Sequence, residues 1–236
     1  MGKRVILIRH GDDPPDDRVY THMTLAGFEP ILCKPFAGDS VPFDDESVVG
    51  SVVYGGRFEA YAYDRYPFLR DEARWIEHCM RRNIPLLGIC QGAQQIAHVL
   101  GAPVGPPADE RAEFGYYRVE PTQAGRSFLP EPLYVAQSHF HTFGIPSGAI
   151  HLARSELFPN QAFSYGATTF ALQFHAEVTI EGFRRWQDQP GTRYDRRGAQ
   201  TREEQDALML PYDAAQAKWF YHLLAALFGQ PEEKTP

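Results

Sequence analysis

Cysteine is scarce in this 236-residue chain. There are three, Cys33, Cys79 and Cys90, widely spaced and with no Cys-x-x-Cys pair. That pattern excludes a disulfide framework and a zinc ribbon, and it fits a reducing compartment, so a cytoplasmic protein is expected. Long apolar runs are missing too. The run that starts at Val5 is too short for a signal-peptide core, and nothing in the chain approaches the ~20 apolar residues that span a bilayer. Basic charge is not in excess: 23 Lys and Arg stand against 30 Asp and Glu, a net charge of −7. A nucleic-acid footprint is therefore not expected. Internal repeats and low-complexity tracts are absent, which excludes solenoids and disordered tails as the main architecture.

What remains is the composition of a folded domain, 43% hydrophobic and 22% charged. We expect a single domain over residues 1–236, with 230–236 a frayed tail. Strand-like runs at Val5–Arg9, Val48–Tyr54 and Pro85–Ile89 alternate with helical patterns at Asp71–Arg82 and Gln91–Leu100. That alternation predicts an α/β layered fold with a mainly parallel central sheet. The C-terminal half differs. Leu133–Ala136, Ala149–Arg154, Ala162–Tyr165 and Thr168–Phe174 read as strands on short connections, with a hairpin at Tyr165-Gly166, so antiparallel strands are expected beside the parallel ones. Helical spacing of Phe220, Leu223, Leu224, Leu227 and Phe228 predicts a C-terminal amphipathic helix. Pro103 to Pro132, rich in Pro and Gly, reads as a long excursion near the site. The charged stretch from Gln187 to Gln205 reads as a solvated loop with a helix entering at Thr201.

Three segments carry chemistry. In Pro85-Leu-Leu-Gly-Ile-Cys90-Gln-Gly-Ala-Gln94 a buried strand runs into a cysteine and a helix starts at once. Such a junction presents a nucleophile at the C-terminal end of a strand, where α/β sheets place their ligands. Gly88 and Gly92 permit the tight packing an elbow needs. The positive end of the new helix favours a thiolate, and the Gln91 amide is placed to bind an oxyanion. An isolated cysteine reads first as a core residue, and Cys33 and Cys79 are read that way. In Leu172-Gln-Phe-His175-Ala-Glu177 an apolar strand ends at a histidine with a carboxylate two residues on. Alone this is a surface pair; with Cys90 at another strand end it is a candidate nucleophile–base–carboxylate triad. Tyr54-Gly55-Gly56 follows the third strand-like run and reads either as an ordinary turn or as a second oxyanion donor. His139-Phe140-His141 could begin a metal site, but no third and fourth ligand has suitable spacing, so no metal is expected. His10, His22, His78, His98, His151 and His222 have no constellation around them and receive no function.

In order and spacing these segments resemble the class I (triad) glutamine amidotransferase family, from about Val5 to Thr179. The motifs are Gly-Ile-Cys90-x-Gly-x-Gln94 and Gln-Phe-His175-x-Glu177. The stretches from Gly55-Gly56 to Ile76 and from His139 to Phe163 look like its stand-alone, GMP-synthase-like members. The resemblance implies a three-layer αβα, flavodoxin-like fold. It implies Cys90 as nucleophile, His175 as base and Glu177 as its partner. Gly56 and Gln91 would form the oxyanion hole, and Gly55, Gln94 and His139 would contact substrate. The chain departs from the family pattern at Arg57, Ser138, His141 and Ala176. These put substrate choice and loop geometry in question, and Ala176 in place of a proline implies a looser His–Glu turn.

The expected chemistry is hydrolysis of the γ-amide of glutamine or another small γ-glutamyl compound through a γ-glutamyl thioester, with no redox or metal cofactor. One alternative is a glutaminase subunit passing ammonia to a separate synthetase subunit. Another is a non-catalytic binding domain of the same fold.

Overall fold

Residues 2–189 and 194–230 are described by the computed structural model; the expected fraying of the tail lies outside them, beyond residue 230. The apolar run at the N-terminus becomes strand β1 (Arg4–Ile8), in which Val5, Ile6, Leu7 and Ile8 are all fully buried. A strand with no exposed face needs cover on both sides. On one side Val5 and Leu7 meet Val19, Met23, Phe220 and Leu224, from helices α1 (Arg18–Leu25) and α5 (Arg202–Phe228). On the other, Ile6 and Ile8 join Trp75, Ile76, Cys79, Ile96 and Ala97, from α2 (Phe68–Arg82) and α3 (Gln91–Val99). The result is the three-layer αβα arrangement expected from the sequence.

The central sheet has nine strands. Five run parallel in the order β2 (Glu29–Cys33), β1, β3 (Val48–Val53), β4 (Leu86–Ile89) and β11 (Thr169–Leu172). Four antiparallel strands extend it: β10 (Ala162–Tyr165), β9 (Ile150–Ser155), β6 (Glu113–Pro121) and β7 (Leu133–His139). The hairpin expected at Tyr165-Gly166 joins β10 to β11, with Gly166 at φ +60°. Two short strands, β5 (Val104–Gly105) and β8 (Thr142–Phe143), pair apart from the main sheet. Helix α4 (Ile180–Asp188) follows β11 closely.

Several elements depart from expectation. The Pro103–Pro132 excursion holds β6, one of the longest strands, paired with β7 from Glu113↔His139 to Val119↔Leu133. Its Gly115 and terminal Pro121 break the alternation by which a strand is read, yet Phe114, Tyr116 and Val119 are buried. The helix expected to enter at Thr201 does so, and it runs on without a break into the amphipathic helix expected around Phe220. Thr201 and Glu204 form a capping box that nucleates it, and it continues through Pro211 because Gln205, Met209, Gln216 and Phe220 are buried along it. Helices α1 and α4 were not expected; α1 offers only a few apolar residues among polar ones.

At the centre, α3 lies unusually close to β3. A Cβ on Gly92 would strike the Val53 carbonyl, with its carbon only 2.6 Å away. Backbone cannot yield as a flexible side chain can, so Gly92→Ala should cost about 2 kcal/mol or more through overpacking. Urea denaturation checks this: the midpoint should fall with an unchanged slope.

Candidate active site

The sheet order decides what meets at its C-terminal edge. Strands β1, β3, β4 and β11 are neighbours. The residues just beyond them are Arg9-His10, Tyr54-Gly55-Gly56, Cys90 and Gln173-Phe174-His175. Cys90 therefore sits between the glycine pair on one side and the histidine on the other. It is the N-cap of α3, with φ 51° and ψ −106°, a conformation that costs a non-glycine residue of order 1–3 kcal/mol. Its backbone is held in place on both sides: its N–H donates to Leu172 O at 2.7 Å, and its carbonyl accepts from Gln94 N at 3.0 Å. The sulfur lies 3.9 Å from the Ser138 carbonyl.

His175 Nδ1 bonds Glu177 Oε1 at 2.7 Å, with both side chains buried. That bond leaves Nε2 for the cysteine, whose sulfur is near enough to bear on the charge of the ring. Burial opposes the imidazolium. The Glu177 carboxylate and the Cys90 sulfur outweigh it, and the His175 pKa is pushed up to about 10. Cys33 and Cys79 are different: burial raises their thiols to about 11 and about 12, and the thiolate is suppressed.

Ala176 does not leave the turn loose. The Arg18 guanidinium donates to the carbonyls of Ala176, at 3.1 Å, and of Val178, while both oxygens of Asp213 on α5 hold it at 2.7 Å. The Arg18 amide donates to Glu177 O at 2.9 Å. Hydrogen bonds thus supply the order that a proline ring would have given. The His175 amide also donates to Ala136 O at 2.8 Å, and the Ala136 amide to Gln216 Oε1 of α5 at 2.6 Å.

The other expected site residues divide. Gly55 and Gly56 line a cleft of about 700 Å³ together with Cys90, His139, His175 and Glu177. A Cβ on Gly55 would lie 2.7 Å from His175 Cε1 and 3.3 Å from Cys90 Cβ, so only glycine fits. The Gln91 amide stands at the start of α3, and its side chain turns away to accept from Phe58 N at 2.8 Å. Gln94 lies beside the cleft. Its amide donates to Gln173 Oε1 at 3.1 Å and to the His141 carbonyl at 3.4 Å. His139 borders the cleft with both nitrogens engaged, Nε2 by Glu113 Oε2 at 2.9 Å and Nδ1 by His141 O at 2.9 Å.

Two residues of the site were not singled out from the sequence. Trp186 on α4 packs edge-on against His175, ring centroids 4.8 Å apart, with no signal beyond its proximity in the chain. His10, given no function above, lies under the glycine pair and bonds buried Glu72 at 2.9 Å. Its position after the four buried residues of β1, at the same sheet end as Cys90, was the available clue.

With this geometry in place, comparison with known proteins adds the lineage. The family model for class-I glutamine amidotransferases matches residues 48–185. The glutamine amidotransferase-like protein YfeJ of Salmonella typhimurium is 29% identical over 163 residues, 66% of this chain and 67% of its own. The glutamine-hydrolysing GMP synthase of Porphyromonas gingivalis is 31% identical over 151 residues. That match takes in 62% of this chain and only 28% of the synthase. The crystal structure of a glutamine amidotransferase from Thermotoga maritima superposes with a TM-score of 0.82 at 28% identity, covering 97% of this chain and 99% of that one.

The raised His175 pKa has a consequence for stability. Unfolded, a histidine titrates near ~6.5; in the fold His175 holds its proton to about 10. Between those values the native state carries a proton the unfolded chain has lost, so stability falls as pH rises. The contribution is complete below about pH 6.5 and gone above about pH 10. Urea midpoints at about pH 6 and about pH 10 should therefore show the wild type ahead of His175→Asn by a margin that shrinks with pH. A constant margin would mean that Glu177 and Cys90 do not hold the imidazolium.

Proposed function

The chain belongs to the class I glutamine amidotransferase family, and on that footing we propose that it is a cysteine-nucleophile amidase hydrolysing the γ-amide of glutamine or a related γ-glutamyl compound. The observation that carries this reading is the convergence of Cys90 and the His175–Glu177 pair at the ends of neighbouring parallel strands. With the Cys90 proton already resting on His175, the thiolate attacks the γ-carbonyl carbon. The oxyanion is held by the Gly56 and Gln91 amides. The tetrahedral intermediate collapses, and the amine or ammonia leaves with the proton from His175. A γ-glutamyl thioester remains on Cys90. His175 then takes a proton from water, whose oxygen attacks the thioester, releasing glutamate and the free thiol. Gly55 lets the substrate carbonyl approach, and Ser138, His139 and Phe140 shape the wall around it. The three free cysteines fit enzyme work in a reducing cytoplasm. Among the described residues no helix is long and apolar enough to cross a membrane.

A second reading, a glutaminase subunit passing ammonia to a separate synthetase, is favoured by one observation. The match covers only 28% of the P. gingivalis GMP synthase, so any synthetase module would have to come from outside the matched region. Assay without any partner separates the two: a self-sufficient hydrolase turns over a γ-glutamyl substrate, and a partner-gated subunit is nearly silent.

Intact-mass spectrometry after exposure to a glutamine-mimicking electrophile tests the common core. Wild type should gain a single adduct and Cys90→Ala none, with hydrolysis in that variant reduced by roughly 10³-fold or more. A folded wild type that gains no adduct, and whose Cys90 is no more reactive than a model thiol, would favour a non-catalytic binding domain.

A further inference from the structure

The Gly55-Gly56 strap has the freest backbone the chain can offer, yet its amide must point at one place if it is to bind an oxyanion. Beneath it lies a fully buried polar trio. His10 Nδ1 is 3.1 Å from Tyr54 O and 3.3 Å from Gly55 O. Its Nε2 is 2.9 Å from Glu72 Oε2, and the same oxygen accepts from Gln95 Nε2 at 2.8 Å. The side chains of His10 and Glu72 have no exposure to solvent. Carbonyl oxygens only accept, so Nδ1 carries a hydrogen and donates it to the strap, and Nε2 and the carboxylate share a second.

The geometry points to His10 as the positioning residue of the oxyanion hole, held in register by Glu72 and Gln95; this rests on the catalytic reading above. In a planar trans peptide the C=O and the N–H point in opposite directions. Fixing the Gly55 carbonyl on His10 therefore aims the Gly56 N–H away from His10. Contact reinforces the hydrogen bonds. A Cβ on Gly56 would collide with His10 Cβ and stand 2.6 Å from Gln91 Oε1, so the strap is seated on both side chains. Gln95 and Cys90 belong to the same helix and its cap. One rigid element thus sets the sulfur and, through Gln95, Glu72 and His10, the strap. General stability gives little reason for such a trio, because buried ionisable pairs are often matched or bettered by apolar residues of equal volume. Its place against the strap supplies the reason.

Two reagents separate positioning from bulk structure. A glutamine-derived chloromethyl ketone passes through a tetrahedral oxyanion at Cys90 and needs the hole; iodoacetamide alkylates by direct displacement and does not. In His10→Ala the ratio of the two rates should fall roughly 10- to 100-fold, with kcat falling in parallel and KM within about twofold. The iodoacetamide rate should stay within about twofold of wild type. His10→Asn places an amide N–H where Nδ1 stood and should restore the ratio to within about threefold of wild type. An unchanged ratio in His10→Ala, or no recovery in a folded His10→Asn, overturns the proposal while leaving the triad intact. Loss of both rates together would mark His10 as structural only. A wild type that forms no ketone adduct removes the catalytic reading, and this inference with it.

Discussion

The contact between the first turn of α3 and the Val53 carbonyl at the end of β3 governs everything that follows at the site. Because Gly92 presents no side chain there, the helix starts directly against the sheet. The chain has no room for a linker between β4 and α3, so Cys90 takes a positive φ and its amide binds the Leu172 carbonyl of β11. A cysteine bonded by its amide to β11, on a helix seated against β3 at Gly92, is fixed relative to both the glycine strap of β3 and the histidine beyond β11. The strain at one residue is the local cost of that precision, and the central parallel strands β1, β3 and β4, buried on both faces, impose it.

Around this fixed point stand three buried histidine–glutamate pairs: His10–Glu72, His139–Glu113 and His175–Glu177. They are alike in chemistry and unlike in use. His175 keeps one nitrogen for the cysteine. His139 spends both, on Glu113 and on the His141 carbonyl; Glu113 is further bonded by Ser155 at 2.6 Å and Gln161 at 2.7 Å. His10 likewise spends both, on the strap and on Glu72. What distinguishes a candidate base from its supports is therefore an uncommitted nitrogen, a property of the assembled fold that residue identity does not carry.

That is also where reading from the sequence stops. Cys90 and His175 were legible because each terminates an apolar run, and in a parallel sheet the end of such a run is a position in space. The layered fold was legible from the same runs. Strand β6 was hidden by Gly115 and Pro121, and α1 by a sparse apolar face whose burial depends on α5. The partnership of His10 with Glu72 spans 62 positions and needs the packing of α2 on α3 to exist. Gln94, implied by resemblance to meet substrate, has its amide turned to Gln173 and the His141 carbonyl. A motif specifies which residue stands at a position but leaves the direction of its side chain to its neighbours.

The brace on the His175–Ala176–Glu177 turn sets the order in which the site can come into being. Arg18, near the start of the chain, bridges the turn's carbonyls and Asp213, and the backbone under His175 is tied through Ala136 to Gln216. Both anchors belong to α5, the last helix. Synthesis therefore reaches the last anchors of the His175 turn only after every strand of the sheet has been made. Docking of α5 is then the event that fixes the His175 side of the cleft.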